Sequence, residues 1–339
     1  MKKAGIITLI LGIMVSVNTS FAAQTEKVGV LILAHGGKHS SWDDTVKNAT
    51  ESLKENYMVE VAFGMANPTT MQAGIDKLES QGVTTIVVVP LFISSYSPII
   101  RQNEYLLGLR DTLADPPMIM MHHSSGNMDM EKKGNSHSAM KKGDKHSSMT
   151  SLPKNSSSHS MINDEEKIEL KPLHFKSNII LTKPLDAHPL VADILFDQIS
   201  ELSVNSKNET ILIVAHGPND ENDNKNWIKT IDNLADQIRT IQEEKGTKFK
   251  QIFGLTVRDD ADPAIYEQAK EHLRTLVSQS GKDGQVIVVP LLLSKGGIEA
   301  GYVKRLEGLN YKWSGKTLLP HANITKFIQT SVEEALKTR

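Results

Sequence analysis

The feature that most constrains the fold is a similarity between the two halves of the 339-residue chain. An apolar run ending in Ala-His-Gly occurs twice, as VGVLILAHG from Val28 and as TILIVAHG from Thr210. A second shared run reads VVPLFIS up to Ser94 and VVPLLLS up to Ser294. Short runs that are apolar throughout are typical of strands buried on both faces of a sheet. The paired runs therefore predict two similar lobes.

Amphipathic stretches separate these runs, and Pro68 and Pro263 each stand where a helix is expected to begin, since proline suits the first helical turn. Strands that alternate with helices indicate parallel sheets with right-handed crossovers. We therefore predict an α/β fold of two doubly wound parallel-sheet lobes, residues 23–206 and 207–339. In such sheets ligands bind at the carboxyl ends of the strands, where both Ala-His-Gly turns are expected.

The second and fourth strands of the two lobes are matched more loosely. Gly64, after the second strand of lobe one, is paired with Gly254 in lobe two. IILTKPLDAHP from Ile179 is paired with TLLPHAN from Thr317 as the fourth strands and the turns that follow them. This match predicts that histidines after the fourth strands lie at the same edge as those after the first strands.

An insert, residues 118–174, interrupts lobe one between its third helix and fourth strand. Residues 118–161 hold eight methionines, five histidines and eleven serines, with few aromatic or β-branched residues. A segment of this composition is predicted to be disordered, because it offers too few apolar groups to form a core. Thioether and imidazole groups on a flexible chain suit copper, nickel or cobalt, so the insert is either a metal-collecting tether or a plain linker.

The first 22 residues are predicted to be a signal peptide. Two lysines precede an apolar run, Ile6 to Val17, and Ser20-Phe21-Ala22 offers small residues for cleavage. The apolar run is short for a membrane span of about 20 residues, although an uncleaved anchor is the alternative. We expect an exported, periplasmic protein without a stable membrane anchor. The absence of cysteine excludes thiolate metal sites and disulfides, and a net charge of −2 argues against a nucleic-acid partner.

Taken together, these motifs resemble the sirohydrochlorin chelatases, a family of class II tetrapyrrole chelatases, in the longer members whose two halves share one chain. The resemblance rests on LILAHGGK, LIVAHGP, the two VPL strands, the helix starts at Pro68 and Pro263, and KPLDAHPL. It implies a lyase that inserts cobalt, iron or nickel into sirohydrochlorin or a related tetrapyrrole, as in cobalamin biosynthesis. The divalent metal is then a substrate, and no organic cofactor is expected; the oligomeric state is left open.

The resemblance also implies which residues form the site. His35 and His216 match the first-strand histidine of the family and are predicted to be catalytic bases and metal ligands, because neutral imidazole accepts protons and binds these metals. The other candidate metal ligands are His39, His188, His321 and Glu299. The candidate cations for the carboxylates of the macrocycle are Arg101, Lys295, Lys304 and Arg305.

One departure from the family pattern keeps a second function open. Family members carry another histidine shortly after the third strand, and Pro98 and Ile298 stand at the matching positions here. The alternative is a non-catalytic periplasmic protein that binds a metal or haem on a chelatase scaffold. A dehydrogenase is disfavoured, because no Gly-x-Gly-x-x-Gly motif follows either first strand.

Overall fold

A computed structural model of the chain describes residues 26–37, 40–113 and 170–338. The predicted signal peptide, His39 and the predicted insert up to residue 169 lie outside the described residues. No helix in the described part is both long and apolar enough to cross a bilayer.

The described residues form two sheets, each of four parallel strands. The first sheet has the order β2-β1-β3-β4 and consists of β1 (Val28–Ala34), β2 (Met58–Phe63), β3 (Thr85–Leu91) and β4 (Asn178–Leu181). The second has the corresponding order β6-β5-β7-β8 and consists of β5 (Glu209–Ala215), β6 (Gln251–Thr256), β7 (Gln285–Leu291) and β8 (Lys312–Trp313). Parallel pairing throughout confirms the predicted α/β fold of two doubly wound sheets.

Helices connect the strands. They are α1 (Ser40–Thr50), α2 (Pro68–Ser80), α3 (Pro98–Leu106), α4 (Pro189–Leu202), α5 (Glu221–Glu244), α6 (Pro263–Ser280), α7 (Ile298–Arg305) and α8 (Ala322–Lys337). Proline opens four of them, and its fixed φ angle and missing N–H cost nothing in a first turn. Pro98 thus marks the start of α3, and Ile298 marks the start of α7 at the corresponding position.

A single apolar core lies between the two sheets. It joins buried residues of the central strands, such as Ile32 in β1 and Ile213 in β5, with the inner faces of α1, α4, α5 and α8. The last helix of each lobe packs on the other lobe: α4 contacts β7, and α8 contacts β3. Gln198 of α4 donates to the carbonyl of Thr317, and Thr325 of α8 donates to that of Ala49. The two lobes thus share one core and should unfold together.

Two of the sequence matches are wrong in detail. Gly254 lies inside β6 opposite Ile213, whereas Gly64 follows β2. A Cβ on Gly254 would lie 2.3 Å from Cγ2 of Ile231, so this glycine admits α5 onto the sheet and does not form a turn. The fourth strand of lobe two is Lys312–Trp313, which precedes the predicted TLLPHAN segment.

The strand order fixes where a site can form. In each sheet the chain leaves the first strand toward one edge and later returns to its other side, so the order reverses between β1 and β3 and between β5 and β7. The crevice outside the carboxyl ends of these strands is the usual binding position of doubly wound sheets. His35 and His216 directly follow β1 and β5 at these two points.

Candidate functional site

The two first-strand histidines are held in the same way. Nδ1 of His35 lies 2.8 Å from the carbonyl oxygen of Gly36, and Nδ1 of His216 lies 2.8 Å from that of Gly217. Because a carbonyl oxygen can only accept, each Nδ1 must carry the hydrogen. In the neutral ring the lone pair is then on Nε2, which is left to accept a proton or bind a metal ion.

The glycine after each histidine is required by the turn. Gly36 has φ +79° and Gly217 has φ +75°, a conformation that side chains disfavour. A Cβ on Gly217 would also lie 2.4 Å from Cβ of Thr256. Glycine is thus needed where the backbone turns sharply directly after each histidine.

His216 has a carboxylate partner. Its Nε2 lies 3.2 Å from Oδ2 of Asp260, in the connection between β6 and α6. Burial lowers the pKa of His216, but the hydrogen bonds to Asp260 and to the carbonyl of Gly217, with the charges of Asp260 and Asp259, outweigh burial and raise this pKa overall. The hydrogen bond from His216 lowers the pKa of Asp260, against the opposing effect of burial. His216 is therefore the ring that more readily keeps a proton.

His35 lies in a different environment but within reach of the same carboxylate. Its ring is exposed, and its charge also contributes to lowering the pKa of Asp260, after the larger effects of His216 and of burial. Electrostatic influence of this kind fades over roughly 10 Å in physiological salt. His35 therefore lies within electrostatic reach of Asp260, and a space shared by the two histidines stays a prediction.

Two buried arginines hold the segment that carries Asp260. Arg258, with a side chain 5% exposed, donates to Glu221 and to the carbonyl of Asn219. Arg305 of α7 is 2% exposed, donates to the carbonyl of Val257 and forms an ion pair with Asp259. These bonds connect the loops after β5 and β6, so the approach of Asp260 to His216 is set by the packing of lobe two.

His188 and His321 serve as helix N-caps. Nδ1 of His188 accepts from the backbone N–H of Leu190 at 3.1 Å, and Nδ1 of His321 accepts from that of Asn323 at 3.1 Å. An accepting Nδ1 places the hydrogen on Nε2, which in His321 lies 3.4 Å from Oδ2 of Asp197. Burial lowers the pKa of His188, although Glu334 and Asp193 act in the opposite direction. The tautomer of both rings is thus set by the helices α4 and α8 rather than by a ligand.

The other predicted site residues divide into three groups. Glu299 accepts from the backbone N–H groups of Gly296 and Gly297 at the start of α7. Arg101 and Arg305 are each paired with a carboxylate of the protein, Asp223 and Asp259. Lys295 and Lys304 are exposed and lie beside the strand-end face of lobe two.

The structure does not bring the predicted metal ligands together as a cage. Among the described residues, no three histidine, aspartate or glutamate side chains are close enough to hold a metal ion. Two surface cavities, of about 400 Å³ and about 500 Å³, are lined by other residues than His35 and His216.

The sequence analysis did not identify Asp260, nor the bonds of Arg258 and Arg305 that hold its segment. The signal that could have found it is the run Arg-Asp-Asp-Ala-Asp-Pro, residues 258–263, which follows β6 and precedes α6. Acidic residues directly after a strand of a parallel sheet fall at the same edge as the histidine after the neighbouring strand.

Comparison with known proteins links this geometry to one family. Residues 29–96, which include His35, match the family model CbiX. A sirohydrochlorin cobaltochelatase of Sulfurisphaera tokodaii is 32% identical over 93 residues, which are 26% of this chain and 78% of that protein. A sirohydrochlorin cobaltochelatase of Sulfolobus acidocaldarius is 36% identical over 69 residues, 20% of this chain and 56% of that protein.

Solved structures show the same fold at lower sequence identity. SirB from Bacillus subtilis with Fe³⁺ superimposes with a TM-score of 0.56 at 14% identity, covering 91% of this chain and 95% of that one. The sirohydrochlorin chelatase SirB from Bacillus subtilis subspecies spizizenii in complex with cobalt gives a TM-score of 0.54 at 13% identity, with coverage of 91% and 95%. The likeness covers both lobes of this chain.

Proposed function

The chain belongs to the sirohydrochlorin chelatase family, and from that premise we propose that it inserts a divalent metal ion into sirohydrochlorin or a related tetrapyrrole. Cobalt, iron and nickel are the candidate metals. The observation that carries the proposal is the pair of imidazoles at the ends of β1 and β5. Each has Nδ1 on a glycine carbonyl, and Nε2 of His216 is also paired with Asp260.

The reaction exchanges two pyrrole N–H protons for one metal ion, so it needs two proton acceptors beside an accessible macrocycle face. Nε2 of the exposed His35 can bind the arriving metal ion or accept one proton. His216 can accept the other, and Asp260 then stabilises the imidazolium that forms. In this scheme the His216–Asp260 pair supplies the second polar group that Pro98 and Ile298 cannot.

We also propose that the protein acts outside the cytoplasm. The support is the predicted signal peptide of residues 1–22, which lies outside the described residues. Metal supply would then come from the periplasm, where the methionine- and histidine-rich insert could collect it.

A second candidate is a protein that binds a metal or haem without catalysing insertion. It is favoured by the lack of a three-ligand cluster among the described residues and by Pro98 and Ile298 at the expected histidine positions. The two candidates differ in rate and not in affinity, because a binding protein sequesters its ligand without accelerating the exchange.

The test mixes the purified protein with sirohydrochlorin and Co²⁺, and then with Ni²⁺ or Fe²⁺ under anaerobic conditions, and follows the visible spectrum. We expect metallation faster than in a protein-free control at substoichiometric protein, with repeated turnover. A spectral change that stops at one macrocycle per chain, with no gain in rate, would support the binding protein instead.

A further inference from the structure

Two corresponding loops cross between the lobes beside the histidines. Loop one, residues 94–97, joins β3 to α3; loop two, residues 294–297, joins β7 to α7. Loop one reaches α5, because Nε1 of Trp227 donates to the carbonyl of Tyr96 at 2.7 Å. Loop two reaches α1, because a Cβ on Gly296 would lie 3.4 Å from Cδ1 of Trp42. The crossings are reciprocal, because each loop contacts a helix of the other lobe.

Loop one is fastened at several points. The backbone N–H and the hydroxyl of Ser95 donate to Asp186 at 2.7 Å and 2.6 Å. One turn into α3, Arg101 forms a bidentate pair with Asp223 of α5, with N–O distances of 3.1 Å and 2.7 Å. Together with the Trp227 bond, these contacts tie loop one both to its own lobe and to the other. A ligand could pass this side only by breaking a largely buried ion pair.

Loop two lacks the side chains that make these bonds. The two lobes can be compared position by position, because β3 and β7 have equivalent registers in their sheets. In addition, Asp186 N–H donates to the Ile93 carbonyl as Leu319 N–H donates to the Leu293 carbonyl. The positions of Ser95, Asp186 and Arg101 are taken by Lys295, Leu319 and Gly301. A Cβ added at Gly297 or Gly301 would meet nothing within 4 Å. The space that the Arg101–Asp223 pair fills beside loop one is therefore open beside loop two.

The open side also has the surface chemistry of a tetrapyrrole contact. Ile298 is 43% exposed and Val303 is 40% exposed, so both offer apolar surface to a ligand. Lys295 and Lys304 add two exposed ammonium groups to the same side. A flat apolar ring that carries carboxylates fits this combination of groups.

On the premise of the proposed function, we infer that the macrocycle enters and is held on the loop-two side, over Gly301 and Ile298, while the Arg101–Asp223 pair closes the loop-one side. Ile298 contacts the ring, and Lys295 and Lys304 face its carboxylates. Among the described residues, Lys295 and Lys304 form no ion pair with a carboxylate of the protein and are available to the macrocycle. Arg101 and Arg305 are already paired with Asp223 and Asp259.

A single introduced thiol tests this assignment, because the chain has no cysteine of its own. Gly301→Cys places the thiol on the open side. Glu104→Cys places it on α3, at the position that corresponds to Lys304, where the glutamate side chain is 35% exposed. Each variant is alkylated with a maleimide, with and without metal-free sirohydrochlorin at about ten times its Kd, where about a tenth of the protein remains unliganded. We expect labelling of Gly301→Cys to slow about tenfold and that of Glu104→Cys to change less than twofold.

Steady-state kinetics provide a second readout. Gly301→Trp should raise KM for the macrocycle about tenfold with little change in kcat, whereas Glu104→Trp, on the loop-one side, should leave KM within about twofold of the natural value. Failure of sirohydrochlorin to bind any variant would overturn the proposed function and the inference together. Binding that protects Glu104→Cys, or that protects neither thiol, would overturn only the entrance assignment and leave the proposed function standing.

Discussion

The ion pair between Arg101 and Asp223 should be a measurable part of the free energy that holds the lobes together. The Asp223 side chain is 11% exposed and that of Arg101 is 29% exposed, so the pair lies between a surface and a fully buried bridge. Exposed pairs contribute about 0.2–1 kcal/mol, and removing one partner of a buried pair costs about 3–5 kcal/mol. We therefore expect Arg101→Met to lower the free energy of unfolding by about 2 kcal/mol.

Urea denaturation followed by tryptophan fluorescence measures this loss, and a double-mutant cycle with Asp223→Asn isolates the pairwise coupling. The Lys54–Glu51 pair is the matched control, because its side chains are 50% and 57% exposed. Its coupling should be below about 0.5 kcal/mol. If Arg101→Met lowers the free energy of unfolding by no more than Lys54→Met does, the Arg101–Asp223 pair does not fasten the lobes.

Two further predictions concern pH. Asp260→Asn should lower the pKa of His216, read from the ring proton shifts in an NMR titration. Because the pKa of His216 is raised in the folded protein, its contribution to stability is present below about pH 6.5 and is lost as pH rises through that raised pKa. Because the pKa of Asp260 is lowered, its contribution to stability is lost as pH falls below about 4. Asp260→Asn should thus lower the free energy of unfolding near pH 6 by less than about 1 kcal/mol, because the Asp260 side chain is 76% exposed. At pH 9 it should leave the free energy of unfolding unchanged. An unchanged His216 titration would refute the pairing. Because the pKa of His188 is lowered in the folded protein, its contribution to stability is present above about pH 6.5 and is lost as pH falls. His188→Asn keeps an N-cap acceptor but does not titrate, so it should reduce the fall in Tm between pH 7.5 and pH 5. The same fall in both proteins would contradict that origin.

The central strands and the first-strand histidines could be predicted from the sequence because their signals are local. The strands β1, β3, β5 and β7 are buried on both faces, so each reads as an apolar run, and His35 and His216 directly follow two of them. The short β8 escaped prediction because Leu318 and Leu319, which lie beyond it, are more deeply buried than the strand itself.

Other features depend on contacts between distant segments. Arg305 resembles an ordinary helix-end cation in the sequence, yet it is enclosed by the loop after β6 and stacks on Tyr266 with its guanidinium carbon 3.9 Å from the ring centroid. The N-cap role of His188 could be suspected from the following proline, but the tautomer of its ring is fixed only by the N–H of Leu190. The exchange of α4 and α8 between lobes leaves no local signal, because both helices are amphipathic wherever they pack.

We propose that the histidines at the ends of β1 and β5 act together on one substrate. The most direct measurement is kcat for cobalt insertion into sirohydrochlorin by His35→Ala, His216→Ala and the double variant, each with its fold checked by circular dichroism. Each single variant should lose about a hundredfold in kcat, and the double variant should approach the protein-free rate. Wild-type kcat in either single variant would contradict the claim.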